Sequence, residues 1–338
     1  MNATDERIYC TYFDSGYLSR ALTLFESLRM HGDDSKIIVL ALDTQVQEYF
    51  DRNPQANIEV ISISVLEVFE PRLPALKMSR SRMEYYFTCT PILIKYALEK
   101  TSSIQALSIY LDADLYFFAN PDNVLADLTG ADVGIIEHRY PAHRAEKLAK
   151  YGRFNVGWVG FRNTQEGRQV LDWYAEKTLD WCSDIPDSGR YADQGYLDWF
   201  PDFEKVHVLT DSGFNVAPWN TSRHTLTLDN SHVESDGSPL IFFHFHGVRK
   251  VGKRFTTSQL IYGSPLNKVL RKSIYQPYIN RLDFFDHVVT DALGAESTIK
   301  KRGNGIIGLL SRVRKKVFDA ITIATGNSIV PRDKKEVI

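Results

Sequence analysis

Residues 107–118 read Leu107-Ser-Ile-Tyr-Leu-Asp112-Ala-Asp114-Leu-Tyr-Phe-Phe118. The run up to Leu111 is apolar and rich in β-formers, which predicts a buried strand. Asp112 and Asp114 stand one residue apart at its end. Alternate residues of a strand share a face, so both carboxylates are expected to point at one place. Two unpaired anions there repel each other and are costly to desolvate, and a cation is the simplest resolution. Hard carboxylate oxygens suit Mg²⁺ or Mn²⁺, which bridge protein carboxylates to a substrate's phosphates. Aspartate is also common in ordinary turns, so the rest of the chain has to decide between a turn and a metal site.

Upstream, Ile8–Tyr12, Lys36–Leu42 and Ile58–Ile63 read as strands, and Tyr17–Met30 and Thr44–Arg52 as helices. Another helix is expected to open at Thr90-Pro91, an N-cap followed by a proline at the first helical position, and to run to about Lys100. Strand–helix alternation predicts an α/β fold with a parallel sheet flanked by helices. Ligands of such sheets bind beyond the carboxyl ends of the strands, where Tyr12-Phe13-Asp14 and Asp112-Ala113-Asp114 both fall. Downstream, Ala131–Glu137, Phe154–Phe161, Lys205–Leu209 and Leu240–His246 read as strands, Gln165–Cys182 as a helix and Asp193–Trp199 as a helical turn. Asp211–Gly237 shows no period and is expected to form a long functional loop.

The chain has 338 residues, enough for one large domain or two smaller ones. With 43% hydrophobic and 24% charged residues it matches ordinary soluble globular proteins. A formal net charge of −2 argues against a nucleic-acid partner. Cys10, Cys89 and Cys182 are odd in number and far apart, so they suggest neither a zinc site nor a disulfide framework, and reduced thiols fit a cytoplasmic location. The N-terminus lacks the basic and apolar regions of a signal peptide, and no apolar run is long enough to span a bilayer.

Residues 300–316 differ in kind, with seven basic side chains (Lys300, Lys301, Arg302, Arg312, Arg314, Lys315 and Lys316) and no acidic one. Ile306, Leu310, Val313, Val317, Ile321 and Ala324 follow helical spacing. A basic amphipathic helix over about 299–325 has two readings. It docks on an anionic membrane surface, giving a peripheral station at the inner face, or it packs its stripe on the protein's own core.

The segment Leu240-Ile-Phe-Phe-His244-Phe-His246 ends in two histidines, followed by Gly247 and Lys250. A lone histidine in an apolar strand is more often structural. At a strand end beside Gly and Lys, a neutral imidazole is placed to complete a site with Asp112 and Asp114, and Lys250 to neutralise a phosphate.

Together these residues resemble metal-dependent glycosyltransferases of the nucleotide-diphospho-sugar (GT-A) fold. The likeness is to family 8-like retaining enzymes and transferases of bacterial surface-polysaccharide synthesis. Asp112-Ala113-Asp114 looks like their Asp-x-Asp motif, and His244-x-x-Gly247-x-x-Lys250 like their His-x-x-Gly-x-x-Lys motif. Phe154-Asn155-Val156-Gly157 is similar to their Phe-Asn-x-Gly strand, and Ala192-Asp193-Gln194 to their Asp-Gln segment. The match runs in order over roughly residues 7 to 255, departing at Lys250-Val251-Gly252, where a Lys-Pro-Trp ending is usual, and at Gly195, where another acid is usual.

The resemblance implies an α/β GT-A catalytic domain over 1–255, built on a Rossmann-like mixed, mainly parallel sheet flanked by helices, with a donor-binding part over about 1–130 and an acceptor side over about 131–255, then a C-terminal helical extension over 256–338. It implies Mn²⁺ or Mg²⁺ on Asp112, Asp114 and His244, with His246 in reserve. Donor contacts would come from Tyr12, Asp14, Arg80, Arg82, Asp112, Ala113, Asp114, Asn155, Gly247 and Lys250. Asp193 would bind donor hydroxyls and Gln194 would sit at the anomeric carbon; read without the resemblance, Asp193 is a helix cap. Asn215, Trp219 and Asn220 are the expected acceptor contacts, while Trp158 reads as core. The implied partners are a nucleotide-diphosphate sugar and a glycan or lipid-linked acceptor, and the implied activity is hexosyl transfer with retention.

Two other enzyme classes fit less well. A haloacid dehalogenase-type phosphatase also carries Asp-x-Asp after an apolar strand, but its pattern wants Thr or Val where Tyr116 stands. A nucleotidyltransferase would need a Gly-rich phosphate loop after the first strand, which is missing. A non-catalytic carbohydrate-binding protein is the remaining alternative.

Overall fold

The structure, a computed structural model, describes residues 6–128, 130–230, 232–294 and 306–332. The chain runs β1 (Arg7–Phe13), α1 (Leu18–Met30), β2 (Lys36–Ala41), α2 (Thr44–Arg52), β3 (Ile58–Ser62), α3 (Ile63–Phe69), α4 (Leu73–Ser79), α5 (Arg82–Leu98) and β4 (Leu107–Leu111). It continues through β5 (Leu115–Phe117), α6 (Asp122–Asp127), β6 (Val133–Glu137), α7 (Ala145–Tyr151), β7 (Phe154–Arg162), α8 (Gln165–Asp180) and β8 (Val206–Leu209). The remainder holds β9 (Leu226–Asp229), β10 (His232–Ser235), β11 (Ser238–Pro239), β12 (Phe242–His244), β13 (Arg249–Val251), β14 (Arg254–Thr256), α9 (Gln276–Leu293), α10 (Ile306–Ala324) and β15 (Ser328–Ile329).

Seven strands form one sheet in the order β3-β2-β1-β4-β7-β6-β8, and only β7 runs against the rest. The fold is therefore α/β with a mainly parallel sheet, as the alternation predicted. After β1 the chain moves outward through β2 and β3, then returns to place β4 on the other side of β1. That reversal opens a crevice at the carboxyl ends of β1 and β4. Both faces of the sheet are covered. Ile8, Cys10, Ile38 and Leu40 pack with α5 and α8, while Tyr9, Ile37 and Val39 pack with α1. Burial on both faces is why these strands read as continuous apolar runs.

Three local expectations change. The helix placed at Thr90-Pro91 begins earlier, at Arg82, where Ser81 and Glu84 form a reciprocal capping box. Pro91 lies inside it and denies the Phe87 carbonyl its usual donor. The 211–237 stretch is not all loop, because β9 and β10 pair there as an antiparallel hairpin. The strand expected to carry Asp112 and Asp114 on its end stops at Leu111, and β5 beyond them leaves the main sheet to pair with β12.

The segment beyond residue 255 shares its cores with the rest of the chain. Phe255 pairs with Ile329 across β14 and β15, and Tyr278 stacks on Phe245 with ring centroids 3.7 Å apart. Val289 of α9 joins the cluster around α1. The basic residues Lys300, Lys301 and Arg302 lie outside the described residues, as do the side chains of Arg312 and Arg314. Over the described part of α10, the expected apolar stripe faces outward: Val317 is 54% and Ile321 48% exposed, whereas Asp319 and Thr322 are buried. Asp319 ties α10 to β13 through Arg249 at 2.5 Å. No helix among the described residues is long and apolar enough to cross a membrane.

Candidate active site

Asp112 and Asp114 do not alternate on a strand. They flank a tight turn between β4 and β5, closed by the Leu115 amide donating to the Asp112 carbonyl at 3.1 Å. The pairing of β5 with β12 sets His244 opposite Leu115, and the Phe245 amide donates to the Asp114 carbonyl at 2.8 Å. That register brings the imidazole to the carboxylates: His244 Nε2 lies 3.0 Å from Asp114 Oδ1 and 3.6 Å from Asp112 Oδ2. Ligand atoms of Asp114, His244 and His246 lie within 4.8 Å of one another. Asp114 is the inner carboxylate at 12% side-chain exposure, and Asp112 the outer one at 34%. The Asp112 Oδ1 accepts from the Tyr110 hydroxyl at 3.0 Å.

This cluster forms the floor of a cleft of about 730 Å³. At the crevice end, Tyr12 sits among Tyr86 and Tyr110, with ring centroids 6.4 and 5.6 Å away. Asp14 is buried there; it accepts from the Gly16 amide at 3.1 Å and from Arg82 at 3.0 Å, while Arg82 Nε donates to the Tyr86 hydroxyl at 2.8 Å. On the opposite wall β7 presents Asn155, whose Nδ2 donates to Gln194 Oε1 at 3.2 Å. The Gln194 Nε2 donates to the Tyr151 carbonyl at 2.7 Å, so both ends of this amide are held. Asp193 stands just before the helical turn Gln194–Asp202, but its side chain makes no capping hydrogen bond. It is buried at the cleft against the hydroxyls of Thr90 and Tyr174.

The cleft thus gathers four carboxylates, Asp14, Asp112, Asp114 and Asp193. Burial pushes the Asp193 carboxyl up to about 7, with the charge of Asp112 adding to the rise. Burial opposes ionisation of Asp114 as well, but the attraction of His244 outweighs it and holds the carboxyl down at about 2. Asp112 is raised by burial, and His244 is raised by Asp114 despite its burial. An anion-rich floor with buried imidazoles is an environment that a divalent cation relieves.

Several expected contacts lie elsewhere. Arg80 does not line the cleft, because its guanidinium donates to the carbonyls of Thr178 at 2.7 Å and Leu179 at 2.5 Å at the end of α8. Lys250 also turns away, pairing with Asp283 at 2.7 Å and Asp286 at 3.4 Å on α9. Asn220 is buried in the loop, with its Nδ2 on the carbonyls of His138 and Asn215 and its Oδ1 on the Ala217 amide. Asn215 is buried too, at a left-handed φ of 51°. Gly247, at φ 75°, follows His246 without lining the cleft. Tyr12, Asp14, Arg82, Ala113, Asn155 and Trp219 all line it. Trp219 donates to the His138 carbonyl at 3.0 Å and sets its ring 5.0 Å from that of His244. Trp158 is core.

Sequence reasoning missed His138, Tyr140, Lys147, Tyr151, Tyr191 and Tyr262, which also line the cleft. They come from separate loops and share no spacing. It also missed the reason for Gly157, where a Cβ would stand 2.9 Å from the His244 ring and 2.6 Å from Asn155 Oδ1. Tyr86 was within reach, four residues after Arg82 on one helical face.

With this geometry in place, sequence relatives are informative. The chain is 32% identical over 251 residues to the uncharacterized protein YfnF of Bacillus subtilis (strain 168), covering 72% of this chain and 82% of YfnF. The chain belongs to the YfnF family. A second protein of that bacterium, the uncharacterized YfnD, is 27% identical over 277 residues, covering 81% of this chain and 88% of YfnD. No family model matches the sequence. Among solved structures, the YfnF-family chain is similar to the galactosyltransferase LgtC in complex with donor and acceptor sugar analogs (TM-score 0.47, 15% identity, covering 84% of this chain and 95% of that one). It is also similar to mouse xyloside xylosyltransferase 1 (0.45, 16%, 72% and 98%) and to the glycosyltransferase GlyE of Streptococcus pneumoniae TIGR4 (0.43, 13%, 85% and 64%).

Proposed function

We propose that the protein is a GT-A-type glycosyltransferase that moves a hexose from a nucleotide-diphosphate donor to an acceptor hydroxyl, with retention, in polysaccharide or glycolipid synthesis. The observation that carries this reading is the meeting of Asp114, His244 and His246 in an aromatic cleft beside Asp112. The donor set fits Mn²⁺ or Mg²⁺: the carboxylates are hard ligands, the imidazoles tolerate Mn²⁺, and His244 turns Nε2 toward both carboxylates. Asp112, Asp114 and His244, joined by His246, would hold the cation, which when bound offsets the charge of a departing diphosphate.

The chain's own residues account for the remaining requirements. Tyr12 and Tyr86 offer rings to a nucleobase in the crevice, with Arg82 beside them. Asp193, half-protonated near neutral pH, both donates to and accepts from sugar hydroxyls. The Gln194 amide, fixed by Asn155 and the Tyr151 carbonyl, is too weak a nucleophile to form a covalent intermediate. It positions the anomeric carbon for attack from the face the leaving group departs. Lys250 assists only if it leaves Asp283 and Asp286.

A thermal-shift screen of UDP-, GDP-, dTDP- and ADP-sugars with Mn²⁺, followed by assay of acceptor-independent hydrolysis, tests the reading. One donor is expected to raise the melting point only with the metal and to be hydrolysed slowly. A screen in which no sugar nucleotide shifts the melting point or is hydrolysed would remove the basis for it.

A further inference from the structure

The cleft's charges are segregated. The lining carboxylates are Asp14, Asp112, Asp114 and Asp193, whereas Lys147, Tyr151 and Tyr191 line the wall beside Gln194, and Tyr140 and Tyr262 connect it to Trp219 and His246. Lys147 is half-buried and has no carboxylate partner among the described residues. Its Nζ sits 5.4 Å from the centroid of the Tyr151 ring, and Lys150 Nζ lies 5.0 Å from the same ring. Tyr191 meets Tyr151 edge-on at 5.0 Å. The nearby acid of α7, Glu146, is already engaged by Arg144 at 3.9 Å. The result is an aromatic wall topped by ammonium groups, joined to the reacting side because the Tyr151 carbonyl holds Gln194.

We propose that this wall binds an acceptor sugar bearing an anionic substituent, a carboxylate or a phosphate, with Lys147 pairing with the charge. The inference deepens the transfer reading and rests on it: a donor nucleotide occupies the β1–β4 crevice, leaving this end for the acceptor. Tyrosine faces suit the C–H face of a pyranose ring, and the ammonium suits the anion. With the donor's diphosphate seated at the carboxylate cluster, the Lys147 ammonium is the cation left to the acceptor at this wall and orients it, charge toward Lys147 and hydroxyl toward Gln194.

The test measures binding of methyl β-glucuronide, glucose 6-phosphate and methyl β-glucoside by saturation-transfer NMR, with Mn²⁺ and the nucleoside diphosphate of the donor found by hydrolysis. At least one charged sugar is expected to bind roughly fivefold more tightly than the neutral one, a preference lost in Lys147→Gln and reversed in Lys147→Glu. The two charged probes separate carboxylate from phosphate. In the wild-type protein, added NaCl should weaken the charged ligand and spare the neutral one, a readout that needs no variant. Equal binding, absent binding, or a preference untouched by Lys147→Gln and by salt overturns the inference while donor hydrolysis still stands. If no sugar nucleotide is hydrolysed, the transfer reading and this inference fall together.

Discussion

Gly157 shows how tightly single residues constrain the candidate site. Its amide donates to Asn155 Oδ1 at 3.2 Å and its carbonyl accepts from the Asp112 amide at 3.0 Å, so it lies between the Asp-x-Asp turn and the His244 ring. Gly157→Ala inserts a methyl 2.9 Å from that ring. We expect Mn²⁺ affinity to fall about 10-fold or more, as for other groups that orient metal ligands, with circular dichroism unchanged; calorimetric titration checks this. Asp193 gives a pH prediction. Its folded-state value is raised from 3.8 to about 7, so the stability that its proton confers is complete below about pH 4 and is lost as pH rises through 7. Asp193→Asn removes that loss. Its melting point relative to wild type should climb between about pH 4 and 7 and then level off, reflecting up to roughly 4 kcal/mol; a flat difference would show that the carboxyl ionises normally. At this scale the Asp-x-Asp pair, His244 and Asn155 were legible because their spacing carries chemistry. His138 and Tyr151 were not, because nothing in the sequence distinguishes a cleft aromatic from a core one.

Among the elements, the alternation of strands and helices gave the sheet, and the misreadings fell where two signals competed. Thr90-Pro91 looks like a helix start, yet the capping box at Ser81 and Glu84 begins α5 about two and a half turns earlier. The break between β4 and β5 was hidden because Leu115-Tyr-Phe continues the apolar pattern in order to pair with β12. Arg80 and Arg82, two residues apart, take opposite roles. Arg80 satisfies the carbonyls that end α8, groups with no partner inside their own helix. Arg80→Ala is therefore expected to cost about 2 kcal/mol in urea denaturation without changing the KM for the donor. Arg82→Ala, at a salt bridge with Asp14 whose arginine is 60% exposed, should cost little stability and raise that KM severalfold. Equal effects on KM from both variants would contradict this division.

At the scale of the whole molecule, the boundary expected at residue 255 is not a boundary between cores. Tyr275, Tyr278 and Leu282 are buried with Phe243 and Phe245, the residues that flank His244 in sequence. A chain truncated after residue 255 would expose that cluster, and we expect it to give no cooperative thermal transition; a sharp transition would mean that the first 255 residues fold alone. This sharing was invisible in the sequence because it depends on where α9 docks, not on its periodicity. The proposed function stands on Asp114, His244 and His246, with Asp112, holding a divalent cation for a nucleoside diphosphate. The most direct measurement is Mn²⁺ binding by electron paramagnetic resonance, with and without UDP or the diphosphate of the preferred donor, in wild type and Asp114→Asn. Wild type should bind Mn²⁺ more tightly when the nucleotide is present, and the variant should lose that binding while keeping its fold. Unaltered Mn²⁺ binding in Asp114→Asn, or a nucleotide that binds wild type equally well without metal, would contradict it.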